Sequence, residues 1–355
     1  MKNYKKILKE NITEIVSNRK QYVQKPDKDF CRDRKLPFET MLYSILSLGS
    51  KDLKCEIMDQ FGIQADIPSV SAFVQQRNKI SPSAFETLFR NFVRSAYKPN
   101  LYKGYRLLAV DGSDLHVPTN PQENRSYYPG ANGQKHYNLL HLNAMYDLTN
   151  RIYTDAMVQS RKQTNAAKAD PNLKYLTHGI VFDYLPAKCK KSIPVTPYTL
   201  AFRIVRCQIS EDIFETLITN LPASIFSSSD LKQIYAMRWG IETSFRTLKY
   251  TLGLIYFHSK KTEFILQEIF TKLTMYNFTE LITSHVIIQQ KKRKHPVQVN
   301  FSASVHICSK FLLNNIPPSK IEALISRFLV PLRQAVSSER KKSAKCAVSF
   351  LYRIA

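Results

Sequence analysis

The segment Ser229-Asp-Leu-Lys-Gln-Ile-Tyr-Ala-Met-Arg-Trp-Gly-Ile-Glu-Thr-Ser-Phe-Arg-Thr-Leu-Lys-Tyr250 constrains the fold more than any other part of the chain, because it carries one long helix with two different faces. Ile234, Met237, Ile241, Phe245, Leu248 and Leu252 recur at helical spacing and gather, at about 100° per residue, in a sector about 80° wide. Tyr235, Arg238, Glu242 and Lys249 fill the adjacent sector, roughly 60° wide. Ser229 is placed to cap the start and Gly253 to end the helix. One stripe needs a core to pack on. The other presents a carboxylate among two cations and a phenol. Arg238 and Glu242 stand at i, i+4, and as a plain surface pair they would stabilise the helix by only about 0.3 kcal/mol. Trp239 flanks the same face, and Gly240 sits mid-helix, where glycine costs about 1 kcal/mol relative to alanine. That cost predicts a close approach to the helix backbone.

A glutamate able to hold a hard cation, between groups able to hold phosphate oxygens, fits a phosphodiester site. The charge balance agrees. With 52 Lys and Arg against 28 Asp and Glu, the formal charge is +24, and such a self-repelling surface makes sense chiefly with a polyanionic partner. Charge alone also fits an RNA binder or a solubility charge. The first twenty residues are polar and unlike a signal peptide, and no run reaches the roughly 18 apolar residues of a membrane helix, so a cytoplasmic location without membrane contact is expected. Six cysteines stand singly, without a C-x-x-C pair, and read as reduced, mostly core thiols; eight dispersed histidines form no metal box.

At 355 residues the chain has room for two or three domains. From Phe38 to about Tyr97 the period is helical, with Gly62 and Pro68 as punctuation. Within it, the segment from Ser69 to Ile80 starts with capping serines and is read with Gln75, Gln76, Arg77 and Lys79 facing solvent. It fits a recognition helix for a DNA groove, and equally an ordinary amphipathic helix. After Pro99 the period changes. Leu107-Leu-Ala-Val-Asp111 is an apolar run ending in a carboxylate and Gly112, as in a buried strand opening onto a site. Strands over about 138–146 and 151–159 form a hairpin, and a further strand is expected at 198–206. Helices follow from Asp230, from Glu263 to Gln289 and around Ile321 to Leu329, with basic runs at Lys291-Lys-Arg-Lys294 and Arg340-Lys-Lys342. The expected division is a helical, DNA-binding region over 1–100, a catalytic domain over 101–290 and a basic helical region over 291–355.

The spacing Tyr235-x2-Arg238-x3-Glu242-x6-Lys249 resembles, without a gap, the signature of bacterial insertion-sequence transposases of the DDE type. Leu108-Ala-Val-Asp-Gly-Ser113 is similar to the strand of that family that carries the first catalytic aspartate. Met145-Tyr-Asp147, Phe257-His-Ser-Lys-Lys261 and Gln267-Glu-Ile-Phe270 resemble further parts of it. The resemblance implies a mixed α/β fold: an RNase H-like core with an N-terminal helical domain, a truncated β-rich insertion over about 160–228, and C-terminal helices. It implies two Mg²⁺ ions, replaceable by Mn²⁺, with Asp111 and Glu242 as catalytic ligands. Tyr235, Arg238, Lys249 and Trp239 would contact DNA. The implied partners are double-stranded DNA, both terminal inverted repeats and target, and a second copy of the chain, at the nucleoid.

One part of the pattern is missing. The family places a second aspartate on a strand after the three-stranded unit and a helix, yet the chain runs from Arg161 to Asp170 and at once into Pro171-Asn-Leu-Lys-Tyr175. An internal deletion near Ala169 to Pro171 is the simplest reading, leaving a remnant that binds DNA without cutting. The rival is Gly179-Ile-Val-Phe-Asp183, an apolar run that ends in an aspartate. Asp147 and Asp155 fit the place worse, at the hairpin ends, and Asp114 fits a neighbouring, non-ligating carboxylate.

Overall fold

The computed structural model describes residues 3–32, 34–130, 133, 135–160, 203–210, 213–290 and 295–332; Asp170, Asp183, Cys189, Cys346 and both basic runs lie outside the described residues. Five helices lead the chain: α1 (Tyr4–Ser17), α2 (Phe38–Leu46), α3 (Leu53–Phe61), α4 (Val70–Arg77) and α5 (Ser83–Ala96). Side-chain caps start three of them, Asn3 on α1, Asp52 on α3 and Ser69 on α4, each accepting a backbone N–H of the first turn. Tyr4, Leu8, Ile12 and Ile15 form the buried stripe of α1, and Phe85, Leu88, Phe89, Phe92 and Ala96 that of α5.

The strands follow: β1 (Leu108–Val117), the short β2 (Tyr127–Tyr128), β3 (Tyr137–Asp147) and β4 (Ile152–Ser160) make one antiparallel sheet in which β1 and β4 flank β3. Arg151, at φ 57°, takes the left-handed turn between β3 and β4, and Asp147 accepts the amides of Thr149 and Asn150 there. A separate hairpin of β5 (Arg203–Ser210) and β6 (Ile213–Thr219) precedes the long α6 (Ser228–Tyr250). Next come α7 (Thr262–Thr283), β7 (Val297–Val299), α8 (Phe301–Leu312), α9 (Ile321–Arg327) and β8 (Leu329–Pro331), which pairs with β7. The mixed α/β class is as expected, with an antiparallel unit of β1, β3 and β4. The run 107–111 is only the start of β1, which continues to Val117; the segment expected as helix to Leu329 instead ends at Arg327 and turns into β8.

One helix organises the core. α7 is buried on every side, and α1, α2, α5 and α8 pack around it in a single apolar cluster that continues into the inner face of the sheet. Such all-round burial explains why its sequence shows no apolar stripe. It also carries buried polar groups that need partners. Arg77, expected in solvent, is 1% exposed: its guanidinium donates to Gln267 Oε1 (2.8 Å), the Phe264 carbonyl (2.8 Å) and Glu268 Oε1 (2.9 Å). The recognition-helix reading of α4 therefore loses its arginine to the core; Gln75 alone of the four named positions is fully exposed. Charge burial of this kind is tolerated when the ion is paired and hydrogen-bonded, as Nε and Nη2 of Arg77 are here.

Candidate functional site

The N-cap of helix α6 lies two residues before the expected one. Ser227, not Ser229, is the N-cap, in a reciprocal capping box with Asp230. Asp230 also accepts from Lys103 Nζ (2.7 Å) and Tyr102 Oη (3.1 Å), which tie the start of the helix to the turn before β1; these donors hold its carboxyl well below the usual range. At the other end Gly253, at φ +86°, turns the chain away after Tyr250. Ile241, Phe245 and Leu248 are buried as the apolar stripe predicts, each worth about 2 kcal/mol of transfer energy. The expected close approach at Gly240 is absent: an added Cβ would lie 3.6 Å from Tyr146 and 3.7 Å from Leu148, ordinary contact distances.

The second stripe opens on a cleft of about 340 Å³ between β1, β6 and α6. Consecutive residues Ala109, Val110 and Asp111 line it, so the strand meets the cleft along its edge, and among the described residues β1 has no partner other than β3. Leu217 and Ile218 of β6 and Leu231, Tyr235, Arg238 and Ile241 of α6 complete the walls. Asp111 is half-buried and accepts the Gly112 amide at 2.8 Å. Arg238 pairs with Glu242 at 3.1 Å, and its guanidinium lies 5.4 Å from the Tyr235 ring and 5.0 Å from that of Trp239, which is 49% exposed. The Tyr235 hydroxyl donates to Glu215 Oε1 of β6 at 2.5 Å, and that bond raises its pKa.

The structure thus gathers Asp111, Tyr235 and Arg238 directly, with Glu242 joined through Arg238. Lys249 is apart. Burial lowers its pKa against the opposing charge of Asp114, and its charge adds to burial in lowering the pKa of His116, so it lies toward the far end of β1. Since Arg238 lies by Asp111 and Lys249 toward Asp114, α6 runs alongside β1 with Glu242 between. Asp114 binds His141 Nδ1 at 2.7 Å, on the opposite strand face. Gly112 is required there, because a Cβ would fall 2.3 Å from His141 Nε2. Asp147 is fully buried in its turn and Asp155 pairs with Arg90 at 2.6 Å, both away from the cleft as the hairpin reading expects.

Asp111 and Glu242 offer the hard carboxylate oxygens that Mg²⁺ prefers. Among the described residues no group of three acidic, histidine or cysteine side chains is arranged to share an ion, and Asp183 lies outside them. Sequence reasoning missed Glu215 and His141. Glu215 sits in a hairpin whose docking on α6 no local pattern announces, and His141 alternates with core residues like any solvent-side position of a strand. None of the described helices is long and apolar enough to cross a membrane.

Residues 175–278 match the family model described as Transposase DDE domain. The match contains Tyr235, Arg238, Glu242 and Lys249, and it begins after the Asp111 strand. Over those residues the chain is similar to a transposase DDE domain, which agrees with the resemblance read from the glutamate helix. A search of curated proteins gave no match. Among solved structures, the cryo-EM structure of the piggyBac transposase synaptic complex with hairpin DNA is similar at a TM-score of 0.42 and 11% identity, over 96% of this chain and 86% of that one.

Proposed function

We propose that the protein is an insertion-sequence transposase that binds transposon-end DNA, hydrolyses a phosphodiester bond there and joins the freed 3′-hydroxyl to target DNA. The observation that carries this reading is the cleft in which Asp111 meets Tyr235 and Arg238, with Glu242 paired to that arginine. In this reading Tyr235, Arg238, Trp239 and Lys249 hold DNA and set its register without breaking bonds. Asp111 and Glu242 hold Mg²⁺, or Mn²⁺ in its place, and the bound ions supply a lowered pKa for the attacking water and neutralise charge at the leaving oxygen. The sequence offers Asp183 as a third carboxylate. The working form is a dimer joined through the C-terminal helices, acting at the bacterial nucleoid, with residues 1–100 as a DNA-binding region.

Mg²⁺-dependent nicking of a duplex carrying the element's terminal repeats tests this reading. Wild-type protein is expected to nick it, Glu242→Gln to bind it and leave it intact, and Asp183→Asn to lose cleavage if Asp183 completes the set. A second reading is a DNA-binding remnant of an internally deleted transposase, resting on the missing second-aspartate segment of the sequence. A gel shift of the end duplex with no nicking under either Mg²⁺ or Mn²⁺ would establish it. Equal binding to an RNA duplex would overturn both.

A further inference from the structure

We propose that Glu215 is a built-in competitor for DNA: it occupies the one hydrogen-bond donor of Tyr235 that a backbone phosphate would otherwise take. The inference deepens the DNA-binding reading above and rests on it.

A phenol has a single O–H and so donates to one acceptor at a time. That proton is committed to the Glu215 carboxylate at 2.5 Å, the short distance of a charge-assisted bond. The neighbouring cation is held the same way, Arg238 by Glu242 at 3.1 Å. One carboxylate thus takes the Tyr235 hydroxyl and another pairs with the Arg238 charge, and each carries the charge and the oxygen geometry of a phosphate edge. The two acids differ in origin. Glu242 is on the same helix one turn away, whereas Glu215 comes from β6, brought against α6 by the β5–β6 hairpin. That hairpin is docked through few other polar ties, among them Lys232 Nζ to the Gln208 carbonyl (2.5 Å) and Arg203 to the Phe226 carbonyl (2.6 Å). Ile204 and Ile218, a cross-strand pair of the hairpin, stay 63% and 69% exposed. DNA entering the cleft must displace Glu215 from Tyr235, so the hairpin sets the threshold for binding.

The test is the affinity of a short mixed-sequence DNA duplex, measured by fluorescence anisotropy, in a double-mutant cycle. Glu215→Gln keeps the shape and removes the charge; Glu215→Ala removes the acceptor. Both are expected to tighten binding about three- to tenfold, since a competing charged hydrogen bond is lost. Deleting any acid near DNA also gives a general electrostatic gain, and that part is blind to Tyr235. In the Tyr235→Phe background the gain should therefore fall to less than about twofold. An equal gain in both backgrounds, or none in either, overturns the competition while leaving DNA binding intact. Failure of the wild-type chain to bind the duplex at low salt overturns the DNA reading and the competition together. Circular dichroism melting of Glu215→Gln, expected to match wild type, excludes misfolding as the source of either result.

Discussion

Arg77, Glu268 and Glu280 show how far single side chains can depart from their usual habits when the interior supplies partners. Burial would push the Glu268 carboxyl up, but the charges of Arg77, His258 and Lys272 outweigh it and bring its pKa down to about 2. Its stabilising share is therefore present above pH 4.5 and is lost as the pH falls toward 2. Removing one partner should be costly: Arg77→Met is expected to lower unfolding free energy by about 3–5 kcal/mol in denaturant titration, because it leaves Glu268 charged and under-compensated. Glu280 behaves in the opposite sense. Burial raises its pKa to about 7, with Arg151 at 3.8 Å and the Tyr276 hydroxyl only partly countering the rise. The acid is stable in its neutral form, so its contribution is complete below pH 4.5 and disappears as the pH rises through 7. Glu280→Gln should flatten the melting-temperature profile between pH 5 and 8, with a gain of up to about 3 kcal/mol on the alkaline side. An unchanged profile would show that Glu280 is already charged in the native protein.

At the scale of elements, a glycine in a helix and one in a strand make opposite demands. Gly240 has space for a methyl group beside Tyr146 and Leu148, so Gly240→Ala should stabilise α6 by about 0.5–1 kcal/mol through helix propensity. Gly112 lies under the His141 ring, and Gly112→Ala should displace His141 from Asp114 and lower the melting temperature by several degrees, about 1–2 kcal/mol. Measuring both variants by thermal denaturation separates the two cases; a loss of stability in Gly240→Ala would mean that the helix meets the sheet more tightly than these contacts allow. The same contrast explains a miss of sequence reasoning. A mid-helix glycine is visible in the sequence, but whether anything lies against it depends on where β3 passes.

For the whole molecule, the excess of positive charge has a direct consequence. Binding to mixed-sequence duplex should weaken steeply with salt, and replacing Lys249 or Arg238 by alanine should reduce the slope of log affinity against log salt by about one each, if each neutralises a phosphate. An unchanged slope would move these side chains off the DNA path. What the sequence determined by itself is what short-range periodicity and spacing encode: the helical lead, the β3–β4 hairpin, the glutamate helix with its apolar stripe, and the family resemblance carried by four residues on one face. Helical and strand periods write local burial directly into the order of residues. Only the tertiary structure decided what meets that face. It turned Arg77 inward onto α7, brought Glu215 from a separate hairpin onto Tyr235, and set Asp111 and Arg238 in one cleft while carrying Lys249 toward Asp114. Those outcomes depend on packing between residues far apart in the chain, where no local period exists to record which partner each polar group will find.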